Sequence, residues 1–240
     1  MTTKAVIQAG WDDAPWLTEA AKTQMEADTP PHMIEARRSG KPGMGSGNVF
    51  PIAIETMVCP PVQIPSFWRR LYALDVGWNR TATLWGAIDP DTDTLYITDE
   101  YYVEHQPPAV CAAAIRARGE WIPGVIDPAS QGRSQVDGRQ LYQSYKQQGL
   151  RLSLANNAVE TGINDLWHRM TTGRVKVFNT LHHFAHEFIL YRRDLKGRII
   201  KENDHLMDCF RYLQNNLSRA RSKAELASAP VYTGAAEYRI

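Results

Sequence analysis

Three cysteines, Cys59, Cys111 and Cys209, are too few and too far apart for a disulfide framework, and their spacing contains no paired zinc-ligand motif. They read as buried or incidental thiols. No run of eighteen apolar residues occurs, and residues 1–10 lack the hydrophobic stretch of a signal peptide, so an intracellular protein without a membrane partner is expected. The chain has no G-x-x-x-x-G-K-[ST] phosphate loop, so no ATP site of that kind is expected. Charge of one sign is also scarce: 27 Lys and Arg oppose 26 Asp and Glu, and nucleic-acid binding would have to rest on a local basic face.

What is present suffices for a packed core. Apolar residues make up 43% of 240, with seven Trp, which fits one domain or one domain with an appendage. Residues 1–66 carry Pro30-Pro31, a Gly-rich segment over 40–47, and then Pro51, Pro60, Pro61 and Pro65, a punctuation that reads as turns and linker. The compact domain is expected over 67–217, with a weakly ordered tail over 218–240.

Within that domain, 71–76, 82–88 and 94–103 read as a three-strand meander, with Asp89-Pro90-Asp91-Thr92-Asp93 as a hairpin turn. A helix from Pro107-Pro108 to Arg118, a strand at 122–126, a helix near 138–148 and a strand at 150–154 then imply parallel additions to the sheet. Helices follow from a Thr161 cap to Gly173, from 181 to 191, and from Asp204, where Leu206, Phe210, Leu213 and Leu217 form a core-facing stripe. The expected fold is α/β, a mixed five-stranded sheet flanked by helices.

The chemistry lies in the acids. Asp75 ends the apolar strand Leu71-Tyr72-Ala73-Leu74, and Asp127 ends 122–126 immediately before Pro128. Asp204 and Asp208 share one face of the last helix at i and i+4, near its N-terminus, where negative charge is favoured. Singly, a strand-end Asp is a common turn former and Asp204 a common N-cap. The signal is the ordered set, because carboxylates gathered from distant segments repel unless cations join them. Two Mg²⁺ or Mn²⁺ ions would supply that charge and the machinery of phosphodiester hydrolysis.

Tyr72-Ala73-Leu74-Asp75-Val76-Gly77, Val125-Ile126-Asp127-Pro128-Ala129-Ser130 and Asp204-His205-Leu206-Met207-Asp208-Cys209-Phe210-Arg211-Tyr212 resemble, in order, the three acidic motifs of the phage terminase large subunit nuclease domain. The last is close to the family's D-H-x-x-D-A-x-R-Y, with Cys209 and Phe210 replacing a small and an aliphatic residue. Gly10-Trp11-Asp12-Asp13-Ala14-Pro15 and residues 40–51 are similar to the end of that family's ATPase domain and its linker. The resemblance implies an RNase H-like fold and an endodeoxyribonuclease that cuts concatemeric double-stranded DNA with two Mg²⁺ or Mn²⁺ ions. It implies Asp75, Asp127, Asp204 and Asp208 as catalytic and metal residues. The implied partners are a terminase ATPase domain, the small terminase subunit and the portal, in the host cell cytoplasm.

A basic stretch adds a second expectation. Arg169, Arg174, Lys176, Arg192, Arg193, Lys196, Arg198 and Lys201 face only Glu187 and Asp194 between positions 169 and 201, and 192–201 reads as a hairpin around Lys196-Gly197. Arg133, Lys176, Arg192, Arg193, Lys196 and Arg198 are the candidate DNA contacts, against the alternative of an ordinary solvated face. His182 and His186 have helical zinc spacing but no companion ligands. Three other functions remain open: a Holliday-junction resolvase or integrase, a kinase-like phosphotransferase suggested by Asp75-Val76-Gly77 with Thr81, and a non-catalytic docking module for the portal or a packaging partner.

Overall fold

The computed structural model describes residues 9–29, 34, 37–38, 47–77, 79–132, 141–194 and 196–227. Helix α1 (Glu19–Ala27) precedes the sheet and is capped by Thr18, whose hydroxyl accepts from Ala21 N at 3.2 Å. The centre of the fold is the expected meander. Strands β3 (Arg69–Val76), β4 (Arg80–Asp89) and β5 (Thr94–Glu104) pair antiparallel, and the β4–β5 turn is closed by Asp89, whose carboxylate accepts from Asp91 N at 3.0 Å and Thr92 Oγ1 at 2.8 Å.

Strand β6 (Gly124–Ile126) adds parallel to β3, and β7 (Leu152–Leu154) adds parallel to β6. Helix α2 (Pro108–Ala117) connects β5 to β6, and α3 (Leu141–Gln147) connects β6 to β7. Five expected strands thus stand side by side as β5-β4-β3-β6-β7. The sheet nevertheless has seven strands, because β8 (Val175–Phe178) pairs parallel with β5 and β2 (Val58–Cys59) pairs parallel with β8. These two are too short to show a period in sequence, yet they cover an edge of β5 that would otherwise be open to pairing.

Alternation sorts the β3 side chains between two cores. Leu71 and Ala73 join Leu84, Leu95, Leu206, Phe210 and Leu213 beneath α4 (Val159–Thr171), α5 (His182–Leu190) and α6 (His205–Asn215). Tyr72 and Leu74 join Trp85, Cys111, Ile115 and Tyr145 on the other face. Helix α4 begins at Val159, so Thr161 lies in its first turn and does not cap it.

Residues 47–59, read as linker, contribute Val49, Phe50, Ile54 and Met57 to the first core, with the Phe50 and Phe188 rings stacked 5.6 Å apart. After Ser218, Arg221 forms a backbone bridge with Arg70, and helix α7 (Lys223–Ala227) carries Glu225 to within 2.9 Å of Arg69. Among the described residues no helix is long and apolar enough to cross a membrane.

Candidate active site

The β3–β6 register sets the first two acids together. Leu74 pairs with Ile126, so the next residues, Asp75 and Asp127, lie at the same end of the sheet, and Asp127 N donates to Leu74 O at 3.2 Å. That register depends on Gly124. A Cβ there would lie 2.2 Å from Tyr72 Cζ, so only glycine lets β6 pass over the buried Tyr72 ring.

Helix α6 supplies the third acid. Its apolar side packs on β3 and β4, and its first turn reaches the strand ends. His205 Nδ1 donates to Asp75 Oδ2 at 2.7 Å, and Arg211 Nη2 donates to Asp208 Oδ1 at 2.7 Å while Nη1 holds the Asn157 carbonyl. Lys201 Nζ lies 2.9 Å from Asp204 and 3.1 Å from Asp208. The buried Arg211 needs a close approach between α4 and α6, which Gly162 permits, since a Cβ there would meet Arg211 Cγ at 2.6 Å.

Asp75, Asp127 and Asp208 share one electrostatic neighbourhood. Burial pushes the Asp75 carboxyl above its ordinary range, His205 pulls it back, and the negative charges of Asp208 and Asp127 push it up again. His205 is raised in turn, chiefly by its hydrogen bond to Asp75. Lys201 is raised by Asp208 and Asp204 in spite of its own burial. Asp204 is the outlying acid: it is buried, acts on His205, and is tied to Asp208 through Lys201.

This donor set suits a hard divalent cation, being all oxygen and carrying negative charge that raises the pKa of Asp75. Among the described residues no three ligating side chains stand together closely enough to hold an ion; histidine, lysine and arginine engage Asp75 and Asp208 instead.

The basic stretch divides. The expected hairpin is present: β9 (Arg192–Arg193) pairs with β1 (Gly47–Asn48), Arg193 bridges to Ile199, and Gly197 turns with φ +76°. Arg192, Lys196 and Arg198 are exposed on it. Arg193 is buried and grips Glu160 with both terminal nitrogens, at 3.0 and 2.8 Å. Lys176 pairs with Tyr96, level with Ala87 and Arg70, five residues before Asp75 along β3. At strand spacing that is roughly 17 Å from the acids along the sheet. Arg133 lies outside the described residues.

Sequence reasoning gave no individual role to His205, Lys201 or Arg211, counting Lys201 only among the cations of the basic stretch. The first and last stand inside the Asp-His-x-x-Asp and Arg-Tyr motif, and only the three-dimensional arrangement shows what they do beside the acids.

Comparison with known proteins agrees with the fold. The terminase large subunit of Salmonella phage P22 is 34% identical over 210 residues, covering 83% of this chain and 42% of that protein, so the chain spans less than half of the relative's length. The solved nuclease domain of the P22 large terminase superposes with a TM-score of 0.70 at 32% identity, over 76% of this chain and 98% of that one. The large terminase nuclease of thermophilic phage G20c, solved with bound magnesium, shares the fold at 16% identity, with a TM-score of 0.52 over 70% of this chain and 97% of that one. The Terminase RNaseH-like domain pattern matches residues 73–217, which run from the β3 acid to the end of the acid helix, and the chain belongs to that family.

Proposed function

We propose that this chain is a divalent-metal-dependent DNA endonuclease that cuts concatemeric double-stranded DNA during viral packaging. The observation that carries the proposal is the convergence of Asp75, Asp127 and Asp208 at one end of the sheet, close enough for each of the other two charges to act on Asp75. The P22 domain, similar in both sequence and fold, is described as a nuclease domain.

Asp75, Asp127 and Asp208 are the carboxylates that would hold two Mg²⁺ or Mn²⁺ ions, and Asp204 takes the outer place through its pairing with Lys201. Bound there, the ions would supply a metal-activated water and neutralise charge on the phosphate in flight. The chain's own residues do the rest. His205 orients the Asp75 carboxylate, Arg211 holds Asp208 in a fixed rotamer, and Lys201 neutralises the pair Asp204 and Asp208 until a divalent ion competes for them. The hairpin tip, with Arg192, Lys196 and Arg198 exposed, supplies attraction for the phosphate backbone without sequence readout. A terminase ATPase domain, the small subunit and the portal are the proposed partners in the host cytoplasm.

The test is incubation of the purified chain with supercoiled plasmid. Nicking and linearisation should require Mn²⁺ or Mg²⁺ and cease with EDTA. Cutting that persists in EDTA, or that survives Asp127→Ala, would sink the assignment.

A further inference from the structure

A buried carboxylate outside the acidic centre holds the helix that delivers part of it. Glu187 on α5 is 1% exposed, and both of its oxygens are used: Oε1 accepts from Tyr102 Oη at 2.6 Å, and Oε2 accepts from the backbone N–H of Leu206 at 2.6 Å. Tyr102 in turn accepts from Arg80 Nη1 at 2.8 Å. Helix α5 is itself fixed from the same strand. Glu100 of β5 accepts from His183 N at 2.9 Å and Phe184 N at 2.7 Å, the free amides of the first turn of α5. Two carboxylates therefore act in series, Glu100 docking α5 on the sheet and Glu187 docking α6 on α5.

The second of these anchors replaces one that the sequence would assign elsewhere. Asp204 occupies the N-cap position of α6, but its side chain makes no capping hydrogen bond, and its carboxylate stands beside Lys201. An Asp at that position would ordinarily spend its carboxylate on the amides of the first turn. Here Glu187 reaches in from the neighbouring helix and takes the Leu206 amide. Leu206 lies between His205, which holds Asp75, and Asp208, so its amide ties down the turn that carries both. Burying a carboxylate for stability alone would be costly where an apolar side chain could fill the space. A carboxylate at a helix N-terminus fixes both the position and the direction of the first turn.

We propose that Glu187, backed by Tyr102, is a positioning residue for metal binding, a cap supplied from α5 that fixes the first turn of α6 and frees Asp204 for the acidic centre. The inference rests on the nuclease reading above.

Mn²⁺ affinity, measured by isothermal titration calorimetry on the DNA-free chain, tests it apart from activity. Glu187→Ala should weaken Mn²⁺ binding about tenfold or more, the usual cost of losing a partner behind a metal ligand. Glu187→Gln, which keeps an acceptor for the Leu206 amide, should recover most of that loss, and Tyr102→Phe should fall between the two. DNA affinity in EDTA should be the same in all of them. A folded Glu187→Ala with wild-type Mn²⁺ affinity overturns the proposal. Should Glu187→Ala fail to fold, unchanged Mn²⁺ affinity in Tyr102→Phe overturns it instead. Wild-type protein that binds no divalent cation sinks the nuclease reading and takes this inference with it, whereas normal wild-type binding matched by every variant sinks this inference alone.

Discussion

The acidic centre and the basic hairpin are both concentrations of one charge, yet they are built in opposite ways. The acids come from positions 75, 127 and 208 and meet only because the ends of β3 and β6 lie beside the first turn of α6, where the charges of Asp127 and Asp208 act on Asp75. The basic residues are near neighbours in sequence, and several are neutralised where they stand. Arg193 grips Glu160, Arg198 pairs with Asp194 at 2.9 Å, and Arg169 and Arg174 both reach Asp93 at 3.1 Å. Charge assembled by topology is answered only in part, by His205, Lys201 and Arg211, whose own partners are shared among the acids, and it has use for an outside cation. Charge assembled by adjacency is largely answered by the fold, which leaves Arg192 and Lys196 as the freer cations of the hairpin.

The sharpest break of this comparison is removal of an assembled acid. Asp75→Ala or Asp127→Ala should lower plasmid cleavage by about 10³-fold or more, the several kcal/mol of transition-state stabilisation that bound metal supplies. Asp204→Ala should cost less, since it reaches the centre through Lys201. Equal losses in all three would place Asp204 among the metal-holding acids. Asp75→Asn should abolish cleavage while leaving the thermal midpoint of the metal-free chain unchanged or higher, because it removes a buried charge that the fold holds at a cost.

A smaller effect should follow from disturbing the assembly itself. Gly124→Ala forces a methyl group into the Tyr72 ring and should destabilise the chain by about 1–3 kcal/mol, lowering the thermal midpoint by several degrees. Cleavage at a temperature where the variant remains folded should fall as well, since β6 carries Asp127. A variant with normal stability would mean that Tyr72 has room to move.

How much of this was legible in sequence follows from the same distinction. The meander, the parallel additions and the three acidic segments could be read because each is a local pattern, an alternating strand or an i, i+4 face ending in a carboxylate. Strands β2 and β8 escaped because two and four residues show no period, and they exist only through pairing with β5 and with each other. The core role of Phe50 was hidden by the prolines and glycines around it. Glu187 read as a minority acid in a basic stretch and Lys201 as one more cation, because their partners, Leu206 with Tyr102 and Asp204 with Asp208, are specified by helix packing that no local pattern encodes.

Within the hairpin, Arg193→Ala and Arg198→Ala should separate fold from surface. Arg193 is buried and bidentate, so its loss should cost about 1–2 kcal/mol even though Glu160 is mostly exposed, whereas Arg198→Ala should leave the melting curve where it was. Urea titration of the two variants decides this, and equal midpoints would mean that the Arg193 pair holds nothing in place.

The smallest expected effect concerns DNA. Arg192→Ala combined with Lys196→Ala should weaken double-stranded DNA binding in EDTA and reduce the slope of log affinity against log salt by about one for each phosphate that is no longer neutralised. Lys176→Ala should change neither, because the sheet register sets Lys176 level with Arg70, away from the acid end, and places it beside Cys59. The hairpin pair and Lys176 are cations from the same basic run, so a difference between them must come from where the fold puts them. If Lys176→Ala lowers the salt slope as much as the hairpin pair does, the DNA path runs along the sheet edge formed by β8 and β2, and proximity to the acids is not what selects the basic residues that touch it.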